Sequence, residues 1–150
     1  MAEYFFDTSA FVKRYHPEAG TQQVLALFSN PKNRVVISHL SLVEMQSAFA
    51  VKVRTGEISQ STAAMLWIQL MADLSSGAFE VLPVTDGHYQ VAGELIERYG
   101  FRHRLRTLDA LQLAVGLDKH HQAGVDGFVL ADQALAEVAS AEKLPIVFVS

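Results

Sequence analysis

Five short apolar runs punctuate the chain: Tyr4-Phe5-Phe6, Val35-Val36-Ile37, Phe79-Glu80-Val81-Leu82, Gly127-Phe128-Val129-Leu130 and Ile146-Val147-Phe148-Val149. Each has the length and the aromatic or β-branched content of a buried strand. Between them the spacing of apolar positions turns helical. Helices are expected over residues 20–29 (after the first strand and a short turn), 42–54, 61–74, 87–99, 108–121 and 133–141. Thr55-Gly56 reads as a C-cap, and Ser75-Ser76-Gly77 stops the next helix. Strands alternating with helices through short links predict a mainly parallel sheet covered on both faces. Ligands of such sheets bind beyond the carboxyl ends of the strands.

Composition narrows the classes. Half of the 150 residues are hydrophobic and 19% are charged, which fits a globular fold and rules against disorder. One domain over residues 1–150 is expected, without repeats or linkers. Cysteine is absent, which excludes disulfides, thiolate zinc sites and cysteine nucleophiles. No apolar run reaches the ~18 residues of a membrane span. The start, Met1-Ala2-Glu3-Tyr4-Phe5-Phe6-Asp7, lacks the basic and apolar regions of a signal peptide. A cytoplasmic protein, with no membrane partner, is expected.

The candidate chemistry lies in four acids. Asp7 directly follows the first apolar run, and Asp132 follows the fourth after Ala131. Glu44 and Asp109 fall in the expected first turns of helices that start at the same sheet edge. Each has a structural reading when taken singly. Ser41-Leu42-Val43-Glu44 spells a capping box, with Ser41 as N-cap. Asp109 complements a helix dipole, and Asp7 and Asp132 are candidate caps. Taken together they converge by topology. Two carboxylates ~5 Å apart repel by roughly 3 kcal/mol at an effective dielectric of 20, so a cluster calls for protons or cations. Hard oxygen donors without cysteine suit Mg²⁺ or Mn²⁺. Such sites hydrolyse phosphodiesters: one ion activates water, and a second ~4 Å away can stabilise the leaving oxygen.

At this point the motifs resemble those of the PIN-domain family, and within it the VapC-type toxin ribonucleases. Phe5-Phe6-Asp7-Thr8-Ser9-Ala10 resembles the family's opening strand and acid. Ile37-Ser38-His39-Leu40-Ser41-Leu42-Val43-Glu44 resembles its second motif, with a hydroxyl residue three before the Glu. Leu108-Asp109-Ala110-Leu111-Gln112-Leu113-Ala114 is very similar to the third, and Phe128-Val129-Leu130-Ala131-Asp132-Gln133-Ala134-Leu135 resembles the fourth. All four stand in the family's order. The resemblance implies a three-layer α/β/α fold and a Mg²⁺- or Mn²⁺-dependent endoribonuclease acting on single-stranded RNA. It also implies a homodimer and a cognate antitoxin that inserts near the acids. By carry-over Asp7, Glu44, Asp109 and Asp132 are the acidic quartet. Asp7 and Asp109 would ligate metal directly, and Glu44 and Asp132 partly through water. Ser9 would orient a carboxylate or a metal-bound water, or else serve as a helix-start hydroxyl. One position departs from the pattern: Leu130 stands where the family often has Ser or Thr, which removes a hydrogen bond beside Asp132.

The formal charge of -4 is unlike the basic surface of most nucleic-acid binders. Setting the four acids aside leaves the rest of the chain neutral, and bound cations would offset them where RNA approaches. Arg98, Arg102, His103, Arg104 and Arg106 lead into Asp109, where arginines can grip phosphates and Tyr99 or Phe101 can stack a base. Lys13, Arg14, Tyr15 and His16 form a second basic group near Asp7. His120-His121 reads as a surface pair, and Trp67 and Met71 as core or dimer-surface residues. A haloacid-dehalogenase-like phosphatase is disfavoured, because Ser9 stands where its second Asp belongs. No Gly-x-Gly-x-x-Gly follows the first strand. The alternative from another class is a non-catalytic PIN-like protein that binds RNA or a partner.

Overall fold

The computed structural model describes residues 1–150. Its strands are β1 (Ala2–Phe6), β2 (Asn33–Ser38), β3 (Glu80–Leu82), β4 (Gly127–Leu130) and β5 (Ile146–Phe148). They form one sheet in the order β3-β2-β1-β4-β5, with every neighbouring pair parallel. The helices are α1 (Thr8–Tyr15), α2 (Thr21–Ser29), α3 (His39–Arg54), α4 (Gln60–Ser75), α5 (Asp86–Tyr99), α6 (Thr107–Ala123) and α7 (Gln133–Ala141). No helix is long and apolar enough to cross a membrane.

Strand alternation builds two cores from one sheet. Phe5, Val36, Phe128 and Leu130 face α5, α6 and α7 and pack with Leu95, Leu113 and Val138. Phe6, Val35, Ile37 and Val129 face the other way, packing with Phe11, Val24, Met45 and Leu70 of α1 to α4. The result is the expected three-layer α/β/α arrangement. Trp67 and Met71 of α4 pack against this second core. Helix α6 packs closely on the sheet. A Cβ on Gly116 of α6 would lie 3.1 Å from the Phe128 ring and 3.3 Å from that of Phe5. Those two rings are themselves stacked at 5.5 Å.

Two local expectations are corrected. The segment after β1 is not a short turn but the helix α1, capped by Asp7. Its two turns carry Thr8, Ser9, Lys13 and Arg14, which blur the apolar period although Thr8 and Lys13 are buried. The second correction concerns α3, which starts at His39 with Ser38 as N-cap, so Ser41 caps nothing and Glu44 lies in the second turn. Ser41 is instead wholly buried and bonded to Thr8 and Gln112 across the sheet edge. That tertiary use of its hydroxyl replaces the capping box.

Candidate metal-binding site

The site follows from strand order. β1 lies between β2 and β4, so the connections leaving β1 and β4 run to opposite faces of the sheet. A crevice opens at the carboxyl edge where they part. Asp7 ends β1 there, and its amide still donates to the Val129 carbonyl at 2.9 Å. Asp7, Glu44, Asp109 and Asp132 all line one open cavity of 580 Å³, together with Thr8, Ser9 and Arg106.

Each acid is held by one oxygen. Asp7 Oδ2 accepts from the Ser9 amide at 3.1 Å and the Ser9 hydroxyl at 2.5 Å. Asp132 caps α7, with Oδ1 accepting from the Leu135 amide at 3.0 Å. Asp109 Oδ2 accepts from the Arg106 amide at 3.4 Å. Glu44 Oε1 accepts from the Thr8 hydroxyl at 2.9 Å and Gln112 Nε2 at 2.6 Å. The capping roles read for Asp7 and Asp132 are therefore present, Asp109 stands in the first turn of α6 as read, and none of these roles competes with ligation. A carboxylate has two oxygens, and in all four residues the second accepts no hydrogen bond from the protein.

Ser9 bridges the segments that follow β1 and β4. Besides donating to Asp7, its Oγ accepts the Ala131 amide at 3.0 Å, tying α1 to the β4–α7 connection. Leu130, where a hydroxyl would be usual, is completely buried against the α5–α7 face and leaves Asp132 to be oriented by its capping bond.

Charge is concentrated here. Burial pushes the Asp7 carboxyl up to about 7; the Ser9 hydrogen bonds oppose that, and the charges of Glu44 and Asp109 add to it. Asp109 is raised by burial, then by Asp132 and Glu44, against the pull of Arg106. As the side chains stand, no three acids or histidines close about one point, so this is an open acidic bowl and not a closed cage. The donor set nonetheless fits a hard divalent cation. Mg²⁺ keeps several waters and takes only one or two carboxylates directly, and each of the four acids offers the bowl a carboxylate oxygen that no protein hydrogen bond occupies.

The basic residues divide sharply. Arg106 lies on the cavity rim, 68% exposed, with Nε 3.7 Å from Asp109 Oδ2. Arg104 lines an adjoining hollow of 640 Å³ that shares Ser9 and Asp132 with the first. A third hollow, 630 Å³, shares Glu44, Arg106 and Asp109. The acids thus sit in the middle of a run of hollows. Arg102 is exposed and lines none of the three. Lys13 and Arg14 are not brought to the site, which corrects the second basic group. Lys13 is buried on Glu18 and the Ala19 carbonyl, and Arg14 pairs with Asp73 over the Phe28 ring. Arg98 is likewise paired with Glu142, which also takes the Tyr99 hydroxyl. Tyr99 is therefore committed elsewhere, whereas Phe101 is freely exposed.

Sequence reasoning passed over three residues of this edge: Thr8, Ser38 and Gln112. The signal for Gln112 was present. It is the one polar side chain in the apolar run Ala110-Leu111-Gln112-Leu113-Ala114-Val115, all of it buried. A buried amide demands partners.

Comparison with known proteins agrees with this architecture. The family profile of the PIN domain matches residues 4–141. No curated protein matches in sequence. Among solved structures, VapBC2 of Rickettsia felis, bound to a DNA fragment from its promoter, is 16% identical with a TM-score of 0.64, covering 99% of each chain. VapC20 of Mycobacterium tuberculosis, a sarcin–ricin loop cleaving toxin, is 20% identical with a TM-score of 0.64, covering 89% of this chain and 93% of its own. DNA-bound VapBC of Salmonella typhimurium is 14% identical with a TM-score of 0.64, over 99% and 98%.

Proposed function

The chain belongs to the PIN-domain family, and on that premise we propose that it is a metal-dependent endoribonuclease, the toxin of a toxin–antitoxin pair. The observation that supports this best is the set of four carboxylates around one open cavity, each pinned by one oxygen and free at the other. Asp7 and Asp109 would be the direct ligands of Mg²⁺ or Mn²⁺, and Glu44 and Asp132 would contribute partly through water. The ion, when bound, lowers the cost of deprotonating water and offsets negative charge on the phosphate.

The chain's own groups do the rest. Ser9 fixes the Asp7 carboxylate, so its free oxygen needs no reorientation when the ion arrives. Arg106 on the rim and Arg104 in the adjoining hollow hold phosphates on either side of the acids, whereas Arg102, outside the hollows, has no such contact to offer there. A run of hollows passing the acids suits a continuous strand and hence an internal cut. Exposed Leu108 and Val43 offer apolar contact to an unstacked base. The partners that go with this reading are an RNA substrate, an antitoxin as in the VapBC complexes, and a second copy of the chain. Exposed Val51, Met65 and Ile68 on α3 and α4 are the apolar surface available to the last of these. The compartment is the cytoplasm, where RNA and antitoxin are found together.

The test is cleavage of mixed single-stranded RNA, with a ribosomal RNA carrying an exposed sarcin–ricin-type loop beside it, by antitoxin-free protein in Mn²⁺. Cutting is expected, and it should vanish in excess EDTA and in Asp109→Asn. Cutting that survives the chelator would reject the mechanism. A folded protein that binds RNA without cutting would be the non-catalytic family member instead.

A further inference from the structure

We propose that Gln112 is a positioning residue, which fixes the Glu44 carboxylate so that Oε2 alone is presented to the acidic cavity. The proposal rests on the nuclease reading above and adds to it a residue outside the acidic quartet.

The hydrogens in this network can be assigned by elimination. Gln112 is 1% exposed and has two amide hydrogens and one carbonyl. An ionised carboxylate only accepts, so the end of the amide that faces Glu44 is the nitrogen, and the Ser38 hydroxyl donates to Gln112 Oε1 at 2.9 Å. Its Nε2 then donates to Glu44 Oε1 at 2.6 Å and to Ser41 Oγ at 2.9 Å; Thr8, at 3.2 Å, is the longest of its three contacts. Thr8 gives its single hydrogen to Glu44 Oε1 at 2.9 Å. Ser41, already accepting from Gln112, gives its hydrogen to Thr8 Oγ1 at 2.9 Å. Every polar hydrogen has one acceptor, and all of them lead to a single oxygen of Glu44.

Such a device has a purpose at this position. Glu44 stands in the second turn of α3, and three side-chain torsions separate its carboxylate from the backbone. Unheld, it would sample many rotamers across an open bowl. Two donors on Oε1 remove that freedom before any cation binds. Those donors come from α1 and α6, and Ser38 and Ser41 of α3 and its N-cap hold them in place. Glu44 is thereby registered against Asp109, which stands one turn before Gln112 on the same helix. Outer partners that orient ligands in this way typically account for about 10- to 100-fold in metal affinity.

The test compares Gln112→Met, Ser38→Ala and Leu95→Ala in full-length protein. Mn²⁺ affinity is read by electron paramagnetic resonance, and kcat and KM on single-stranded RNA are measured alongside. Met keeps the length of Gln and removes both donors. About a tenfold or greater rise in the Mn²⁺ Kd is expected for Gln112→Met, with kcat falling and KM for RNA unchanged. Ser38→Ala frees only the far end of the amide and should give a smaller rise in the same sense. Leu95→Ala removes a core side chain of α5, so it should lower Tm yet leave the Mn²⁺ Kd alone. A folded Gln112→Met with wild-type Kd and kcat overturns the proposal. If that variant does not fold, a wild-type Kd in Ser38→Ala overturns it instead. Wild-type protein that neither binds Mn²⁺ nor cuts RNA overturns the nuclease reading itself, and this inference with it.

Discussion

Asp7→Asn is expected to lower RNA cleavage by roughly a hundred- to a thousandfold, the range for loss of one preorganised electrostatic group, while making the metal-free protein more stable at pH 8. The two effects share one cause. In the unfolded chain Asp7 ionises near 3.8, whereas in the fold burial raises that to about 7. Between those values the folded state holds a proton that the unfolded state has released. Stability therefore falls as pH climbs from about 4 to about 7, and the loss remains in full above that. Three pH units of displacement correspond to on the order of 4 kcal/mol. Asn removes the ionisation and keeps an acceptor for Ser9. Urea midpoints in EDTA should show the variant ahead at pH 8, with the gap closing towards pH 4. A variant that is less stable at pH 8 would contradict the burial argument. In wild-type protein the proton and the cation compete for Asp7, so Mn²⁺ affinity and cleavage should both weaken below about pH 7.

Gly116→Leu should destabilise the fold and disturb the acids together. The first carbon added would already lie 3.1 Å from the Phe128 ring and 3.3 Å from Phe5, and those rings are stacked on each other and fully buried. Neither can retreat, because the sheet lies behind both. Overpacking of this kind costs about 1–3 kcal/mol, and a rigid aromatic pair puts this site at the upper end. Relief comes from α6 lifting off the sheet. That helix carries both Asp109 and Gln112, so weaker Mn²⁺ binding should accompany the lower urea midpoint. An unchanged midpoint would show that α6 is free to shift and that the contact constrains nothing.

The sheet was legible because each of its strands is a short apolar run bounded by polar residues, and in a parallel sheet such runs share a direction. Asp7 and Asp132 could be placed from that alone. The helices were harder where tertiary contacts override local signals. Ser41 and Glu44 have the spacing of a capping box, but the cap is Ser38, because Ser41 finds its partners on α1 and α6. Lys13 and Arg14 read as a basic patch beside Asp7. Their partners, Glu18 for one and Asp73 for the other, bind them into the fold, and a charge so paired cannot be told from a free one by sequence. The Gln112 network spans separations of 68 to 104 residues, and no local pattern encodes which hydroxyls will meet. What the sequence did carry was the anomaly itself: an amide inside an apolar helix.

The Ser9 bridge has a spectroscopic consequence. Its oxygen gives a hydrogen to Asp7 and receives one from the Ala131 amide. Charge gained or lost on the carboxylate repolarises that hydroxyl and alters the N–H bond on the far side. The Ala131 amide is thus a resident probe whose proton and nitrogen chemical shifts follow the state of Asp7 from the β4–α7 connection. In a heteronuclear correlation spectrum this one cross-peak would trace the acid's titration and, separately, its occupation by a diamagnetic ion such as Mg²⁺, without a label on either.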